Sequence, residues 1–233
     1  MNAIILDTET NCLKGLPIEI AHGAFEFRNG IPFFDNSNLF EQYYSLDDGD
    51  HIEWGAMATH HIIAEDLIGQ PNYREFQMPQ VEYVIGHNIA YDLEVLARAG
   101  VDVQHIKPIC TLKLAKHTWE LDSYKLTSLI YYMLNGSAQA RDIISNAHRA
   151  GADICMTATL VEAIAKSHNI QDIEQLYQLS RQPFLPKVMP FGKHKGQRLE
   201  DVPMSYFNWL VKQDNVDPGL LMAIDRIRLK AIP

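Results

Sequence analysis

The stretch Ala3-Ile4-Ile5-Leu6-Asp7-Thr8-Glu9-Thr10 sets four apolar residues directly before two carboxylates that lie two positions apart. A short apolar run rich in β-branched residues predicts a buried strand. Side chains at positions i and i+2 of a strand point to the same face, so Asp7 and Glu9 would stand side by side at the strand end. Neighbouring carboxylates repel each other. A shared metal ion is one explanation for the pair, and solvated turn carboxylates are the other.

A second acidic cluster, His87-Asn88-Ile89-Ala90-Tyr91-Asp92, follows another apolar run at residues 81–86. The pattern predicts a strand, a short polar loop and a helix that carries Asp92 near its start. In isolation, Asp92 is explained by a favourable interaction with the helix dipole. His87 and Asn88 could hydrogen-bond phosphates or orient the carboxylate, or they could simply form a polar loop.

The third cluster, His148-Arg149-Ala150-Gly151-Ala152-Asp153, lies near the start of a predicted long helix at residues 150–167. An imidazole can accept a proton from a water molecule at physiological pH. The simpler alternative is a surface histidine beside a first-turn acid. Taken together, the three clusters supply four carboxylates and one imidazole, the set needed to hold two divalent metals and deprotonate a water beside a phosphodiester.

Size and composition favour a globular protein with one large domain or one domain with a small appendage. The chain has 233 residues, of which 47% are hydrophobic and 21% are charged. No apolar run approaches the roughly 18 residues that suggest a membrane span. The N-terminus lacks a basic segment and cleavage site, and Cys12, Cys110 and Cys155 are sparse and odd in number. We therefore expect a cytoplasmic protein without membrane association.

Charge is distributed unevenly along the chain. The net charge of −9 argues weakly against a nucleic-acid binder. Residues 1–182, however, carry 12 Lys+Arg and 24 Asp+Glu, a net of −12, whereas residues 183–233 carry 8 and 5, a net of +3. Such an asymmetry can separate a catalytic segment from a docking segment.

The order of the predicted elements indicates an α/β fold. An antiparallel meander over residues 18–46 is followed by alternating strands and helices, which predicts a mixed five-stranded sheet flanked by helices. Three prolines at residues 183–190 predict a linker, followed by a small α+β appendage. We expect a catalytic domain at residues 1–170, a helix and Pro-rich linker at 171–190, and a basic segment with a hairpin and two helices at 191–233.

The three clusters, in this order, resemble the motifs of the DEDDh family of 3′–5′ exonucleases, which have a ribonuclease H-like fold. They match its patterns D-x-E, H-N-x-x-F-D and H-x-A-x-x-D, with Tyr91 in place of Phe in the second. The resemblance covers about residues 2–168. Within this family, the chain is most similar to the bacterial exonuclease X group, because Phe191-Gly192-Lys193-His194-Lys195-Gly196 matches that group's pattern F-G-K-x-[KR]-G.

This resemblance implies a role for each residue of the three clusters. Four carboxylates would hold two Mg²⁺ ions, for which Mn²⁺ can substitute, and His148 would be the general base that prepares the attacking water. The metal ligands would be Asp7, Glu9, Asp92 and Asp153. The residues expected to contact substrate in this part of the chain are Thr8, Thr10, Leu13, His60, His87 and Asn88.

The implied reaction releases 5′-mononucleotides from DNA 3′ ends, single-stranded and also double-stranded, in DNA repair or recombination, by a monomer or a homodimer. Trimming of RNA 3′ ends is one alternative, and a catalytically idle binding module is another. Asn11 and Cys12 replace the Thr-Gly that usually follows D-T-E-T in the family, which puts a thiol where the backbone usually approaches substrate.

The basic segment allows two interpretations of its own. Lys193 and Lys195, with His194, Arg198 and Phe191 nearby, could bind phosphates and stack on a base. Alternatively, they form a solvated turn that braces the catalytic domain. Beneath the predicted hairpin, we expect a small core of Phe207, Trp209 and Leu210, since these residues recur at helical spacing.

Overall fold

The computed structural model describes residues 2–145 and 147–230, which form two compact units that divide between Arg181 and Gln182. The strands of the first unit are β1 (Ala3–Thr10), β2 (Pro17–Arg28), β3 (Ile31–Phe34), β4 (Phe40–Tyr43), β5 (Tyr83–Gly86) and β6 (Lys107–Cys110). Its helices are α1 (Trp54–His60), α2 (Ala90–Arg98), α3 (Thr111–Thr118), α4 (Leu126–Met133), α5 (Ala138–Ile144), α6 (Ala150–His168) and α7 (Ile173–Arg181). None of the helices in the described ranges is both long and apolar enough to cross a bilayer.

The six strands form one mixed sheet in the order β3-β2-β1-β5-β6, with β4 also paired to β2. β1 is antiparallel to β2 and parallel to β5, and β5 is parallel to β6. The predicted mixed α/β sheet flanked by helices is therefore confirmed. It has six strands instead of five because the twelve-residue β2 pairs with β4 at residues 19–22 and with β3 at residues 25–28.

β1 lies at the centre of the sheet and contributes alternate side chains to two cores. Ala3 and Ile5 pack in a core that includes Leu160 of α6, whereas Ile4 and Leu6 pack in a core that includes Leu96 of α2. The same alternation continues beyond the apolar run. It therefore directs the Asp7 and Glu9 side chains towards the α6 side and those of Thr8 and Thr10 towards the α2 side.

A glycine at the end of β5 allows the loop before α2 to approach β1 closely. A Cβ atom on Gly86 would lie 2.9 Å from the Leu6 carbonyl oxygen and 2.6 Å from the Ile89 side chain. Real Cβ atoms do not make contacts this short, so any other residue would push the loop away from β1. Gly86 thus helps to place the start of α2 beside the end of β1.

The second unit has a small core of its own. Its helices are α8 (Met204–Leu210) and α9 (Pro218–Lys230). The predicted basic hairpin is instead a loop with 3₁₀ turns at Gly192–His194 and Leu199–Asp201, closed by an antiparallel bridge between Val188 and Arg198. The loop contains glycines with positive φ that favour tight turns over extended strands.

The prediction for the α8 core is correct for two of its three residues. Phe207 and Leu210 are buried, together with Leu220 and Ile224 of α9. The prediction for Trp209 is wrong, since its side chain is 53% exposed. Residues 207 and 210 share one face of α8, and the intervening Trp209 is rotated by about 100° from Leu210, which carries it out of the core.

Candidate active site

The three predicted clusters converge at the end of β1. One ligand atom from each of Glu9, His148 and Asp153 lies within 4.8 Å of the others. Glu9 comes from the end of β1, and Asp153 lies in the first turn of α6. Because α6 packs on the face of β1 that carries odd-numbered residues, strand periodicity accounts for this encounter.

Asp92 reaches the same strand from the opposite side and is held firmly. It is only 3% exposed. Its Oδ1 atom accepts hydrogen bonds from the Thr8 backbone N–H at 3.0 Å and from the Thr8 hydroxyl at 2.8 Å. Thr8 therefore orients a carboxylate in this structure, since its hydroxyl proton is donated to Asp92.

Burial and mutual repulsion raise the pKa of all four carboxyl groups. Burial, followed by the charges of Asp92 and Asp153, raises the pKa of Asp7 well above its usual range. Burial and the charge of Asp153 raise the pKa of Glu9 to about 8. The cluster is thus most stable when it is protonated or when a cation offsets its charge.

Asp92 and Asp153 are shifted less because hydrogen bonds favour their charged forms. Burial raises the pKa of Asp92 to about 7, while the two bonds from Thr8 act in the opposite direction. Burial raises the pKa of Asp153 to about 6, opposed by a hydrogen bond from the His148 backbone. Closely spaced carboxylate oxygens are suitable ligands for hard divalent cations such as Mg²⁺ and Mn²⁺.

His148 sits on an exposed turn immediately before α6. Its backbone is in the left-handed region, with φ of 66°, and its N–H donates to Asp153 Oδ1 at 3.2 Å. This conformation is uncommon for a residue other than glycine, and surrounding contacts must maintain it. The imidazole is solvent-accessible, so it can exchange a proton with water.

An ion pair that the sequence patterns did not suggest holds this turn against the sheet. Glu19 of β2 is 1% exposed and stands directly opposite Glu9 in the β1–β2 register. Its Oε1 atom accepts from Arg149 Nη2 at 3.0 Å, and its Oε2 atom accepts from the Ala150 N–H at 3.0 Å. No local motif marks Glu19, because its partners lie 130 and 131 residues away along the chain.

The Tyr91 hydroxyl, which the family usually lacks, has a partner here. Thr10 Oγ1 donates to the Cys12 carbonyl at 2.9 Å and lies 2.7 Å from the Tyr91 hydroxyl. Since the Thr10 proton is already donated, Tyr91 is the donor to Thr10. The loop after β1 is thereby fixed to α2, and it presents Leu13, whose side chain is 77% exposed.

Two histidines predicted to contact substrate make hydrogen bonds within the protein through both ring nitrogens. The ring of buried His60 lies 3.2 Å from the Thr10 carbonyl through Nε2 and accepts from the Ile62 N–H at 3.0 Å through Nδ1. His87 Nε2 lies 2.9 Å from the Tyr124 carbonyl, and its Nδ1 lies 3.0 Å from the Thr111 hydroxyl. Neither histidine has a ring nitrogen available to a substrate in this arrangement.

Of the other predicted contact residues, Thr8 and Thr10 are buried, whereas Leu13, Asn88 and the two lysines are accessible. Asn88 is exposed, with φ of 69°, and precedes the helix that carries Asp92. Lys193 and Lys195 are exposed on the second unit. Trp54, at the start of α1, is 84% exposed.

Known structures share this fold. A structure of exonuclease X in complex with 5′ overhanging duplex DNA is 25% identical, with a TM-score of 0.59, and the match covers 76% of this chain and 99% of that one. E. coli exonuclease I in complex with a dA16 oligonucleotide is 19% identical, with a TM-score of 0.52, covering 76% of this chain and 42% of that one. The exonuclease I match shows the fold alone.

A different relative matches a short part of the chain. It is the uncharacterized protein YpeB of E. coli K12, 43% identical over 42 residues, which are 18% of this chain. The chain spans 58% of the length of that curated relative. Residues 174–223 also match the model of a family described as "Putative quorum-sensing-regulated virulence factor".

The remaining match covers most of the first unit. Residues 4–161 fit the model of the RNase_T family, described as "Exonuclease". This range contains β1 from Ile4 onward, α2 and the first turns of α6, and with them the three acidic clusters. The chain therefore belongs to this exonuclease family, within the DEDDh superfamily.

Proposed function

We propose that this protein is a metal-dependent 3′–5′ exodeoxyribonuclease that releases 5′-mononucleotides from DNA 3′ ends. The observation that carries the proposal is the convergence of Asp7, Glu9, Asp92 and Asp153 with the exposed imidazole of His148. The likeness to an exonuclease X structure that contains DNA supports DNA as the substrate. A role in DNA repair or recombination in the cytoplasm is part of the same proposal.

The four carboxylates would hold two Mg²⁺ or Mn²⁺ ions. When bound, such a pair of ions supplies electrostatic stabilisation to the attacking and leaving oxygens of a phosphodiester. Asp92 enters this site already oriented by Thr8. Glu9 and Asp7 are oriented by β1, whose pairing with β2 extends as far as Thr10.

His148 would take the proton from the attacking water at an imidazole nitrogen. Its exposure lets the proton leave to solvent before the next turnover. Asp153 accepts the backbone N–H of His148, and Glu19 anchors the adjoining Arg149 and Ala150. These contacts keep the imidazole at the acidic cluster without occupying its ring nitrogens.

Substrate binding would use exposed side chains of both units. Leu13 would make an apolar contact with the terminal base, and Asn88 would donate to a phosphate oxygen, since both side chains are exposed. Lys193 and Lys195 would bind backbone phosphates from the second unit. A ribonuclease that trims RNA 3′ ends would use the same catalytic groups, so substrate choice needs a direct test.

The test uses one sequence as 5′-labelled single-stranded DNA, duplex DNA and RNA, incubated with Mg²⁺ or with a chelator. We expect DNA to shorten stepwise from its 3′ end with Mg²⁺ only. Asp153→Asn should abolish cleavage, and Glu162→Gln, an exposed acid on the same helix, should not. Shortening of RNA but not DNA would favour the ribonuclease, and activity retained by Asp153→Asn would refute the two-metal site.

A further inference from the structure

Helix α8 presents two different faces. Phe207 and Leu210 are buried in the small core of the second unit, whereas Tyr206 packs at the edge of that core and contacts the exposed Trp209. The Tyr206 and Trp209 ring centroids are 5.3 Å apart, and Trp209 remains 53% exposed. A helix of seven residues therefore uses one face for stability and leaves an adjacent aromatic pair accessible.

The aromatic pair forms one side of a cavity of about 380 Å³, which we call the α8 cavity. Its lining residues are Lys193, His194, Pro203, Ser205, Tyr206 and Trp209. Its volume falls within the range of about 300–1,000 Å³ that is typical of small-ligand pockets. Aromatic surface with a few polar groups is the usual lining of such pockets.

The basic loop approaches the aromatic pair closely. The His194 ring meets Tyr206 edge to face, with centroids 4.6 Å apart, and Lys193 Nζ lies 5.5 Å from the Tyr206 centroid. Gly192 makes this approach feasible, because it has φ of +72° and a Cβ atom there would lie 2.7 Å from the Tyr206 hydroxyl. The loop thus holds a cation over an aromatic ring at the edge of the cavity.

The charge around the α8 cavity favours an anionic ligand. Lys193 and Lys195 are both exposed, and neither has a carboxylate within 4.0 Å among the residues that the structure describes. Residues 183–233 carry a net charge of +3 in a protein whose remainder is strongly acidic. Arg198, by contrast, is already paired with Glu200 at 3.1 Å.

We propose that the α8 cavity is a binding site for single-stranded nucleic acid. One base stacks on Trp209, and the adjoining phosphates lie beside Lys193 and Lys195. Exposed aromatic rings next to unpaired cations are the recurring chemistry of single-strand recognition, since every base has a face that can stack. Bases stacked within a duplex cannot enter such a cavity. The choice of DNA as the ligand rests on the proposed function.

The first experiment measures binding of an oligothymidylate of about 15 nucleotides to the full-length protein by fluorescence anisotropy. A chelator is present, so that cleavage does not interfere. Trp209→Ala should weaken binding about 5- to 150-fold, the loss expected for one stacked base. Trp209→Phe should keep most of the affinity, because a phenyl ring still stacks, and it also controls for altered folding of α8.

The second experiment separates the phosphate contacts from the stacking. The double variant Lys193→Gln, Lys195→Gln should reduce the slope of log affinity against log salt by about 0.7 for each phosphate that a lysine no longer neutralises. Lys212→Gln, an exposed lysine of the same unit that does not line the α8 cavity, should leave the slope unchanged. An unchanged slope in the double variant would contradict the proposal.

Two further outcomes would overturn the site. One is unaltered oligothymidylate binding by Trp209→Ala, and the other is an equal loss of binding to a blunt duplex, which offers no free base. These results are separable from the nuclease proposal. Adding Trp209→Ala to Asp153→Asn, which should not cleave DNA, should weaken oligothymidylate binding by the same factor as in the parent protein.

Discussion

The acidic cluster is held differently on its α2 side and its α6 side. On the α2 side, Asp92 is nearly inaccessible and accepts two hydrogen bonds from Thr8. On the α6 side, His148 is exposed, in a left-handed turn tied to Asp153 by one backbone hydrogen bond. The comparison indicates that the Asp92 carboxylate is fixed within the fold, while His148, the proposed general base, keeps contact with solvent.

The largest expected effect comes from removing the imidazole on the exposed side. His148→Ala should lower kcat about 10²- to 10⁴-fold, because a general base contributes about that factor. The increase in Tm caused by Mg²⁺ should persist, since the carboxylates remain. Single-turnover rates and thermal melts measure the two quantities, with His105→Ala as an exposed control. A loss confined to DNA affinity would show that His148 is not the base.

A smaller effect is expected from removing the negative charge of Glu19, which holds the turn that carries His148. Glu19→Gln removes the charge that holds Arg149 and Ala150, so the turn carrying His148 should become less well positioned. Outer groups that orient a site are worth about 10- to 100-fold. We expect a fall of that size in kcat with little change in KM, measured by steady-state kinetics.

Glu41 provides the matched control for Glu19. It is half-exposed and lies 3.8 Å from Arg149, so Glu41→Gln should cost less activity than Glu19→Gln. A purely structural role for Glu19 would lower the Tm and leave kcat unaltered. That result would show that Glu19 stabilises the fold without positioning His148 for catalysis.

The smallest effect is expected from reducing the charge repulsion among the clustered carboxylates at Glu9. The pKa of Glu9 is raised to about 8 in the folded protein, which therefore favours the protonated carboxyl group. The contribution of this group to the free energy of unfolding is fully present below the ordinary pKa of glutamate and is lost as pH rises through about 8. Glu9→Gln should therefore raise the Tm of the metal-free protein by several degrees near pH 8 and by less near pH 5. Differential scanning calorimetry with a chelator measures both values.

Two comparisons check the origin of that shift. Glu162→Gln, an exposed change on α6, should leave the pH dependence unaltered. Saturating Mg²⁺ should stabilise the parent protein more near pH 8 than near pH 5, because metal ligands must be deprotonated. A Glu9→Gln protein that is less stable near pH 8 would mean that the cluster is not under repulsion.

The fold and the acidic cleft could be predicted because their signals are local. Strand alternation in residues 3–10 puts Asp7 and Glu9 on one face, and the helix beginning at Ala150 follows from its own periodicity. Glu19 gave no such signal. Its role depends on β2 pairing with β1 and on α6 crossing that pair, which are contacts between distant parts of the chain.

Some hydrogen-bond partners could not be predicted from the sequence. Substrate contact by His60 and His87 stays a prediction; their Nε2 atoms lie within hydrogen-bonding distance of the backbone carbonyls of Thr10 and Tyr124, which no sequence pattern indicated. Motifs identify a residue type and cannot reveal which partner it binds. Trp209 was assigned to the core because a short helix offers few residues from which to determine its buried face.

The attachment of Asp92 to β1 affects how an inactive form of the protein should be prepared. The β1–β5 pairing covers Ala3–Ile5, and farther along β1 the Thr8 N–H donates to the Asp92 carboxylate. Asp92 thus prolongs the hydrogen bonding of the central strand, and an Asn side chain there could present its amide to that N–H. For crystals with trapped, uncleaved DNA, Asp153→Asn is the better choice. Asp153 accepts its hydrogen bond from the His148 N–H, which is not part of the sheet.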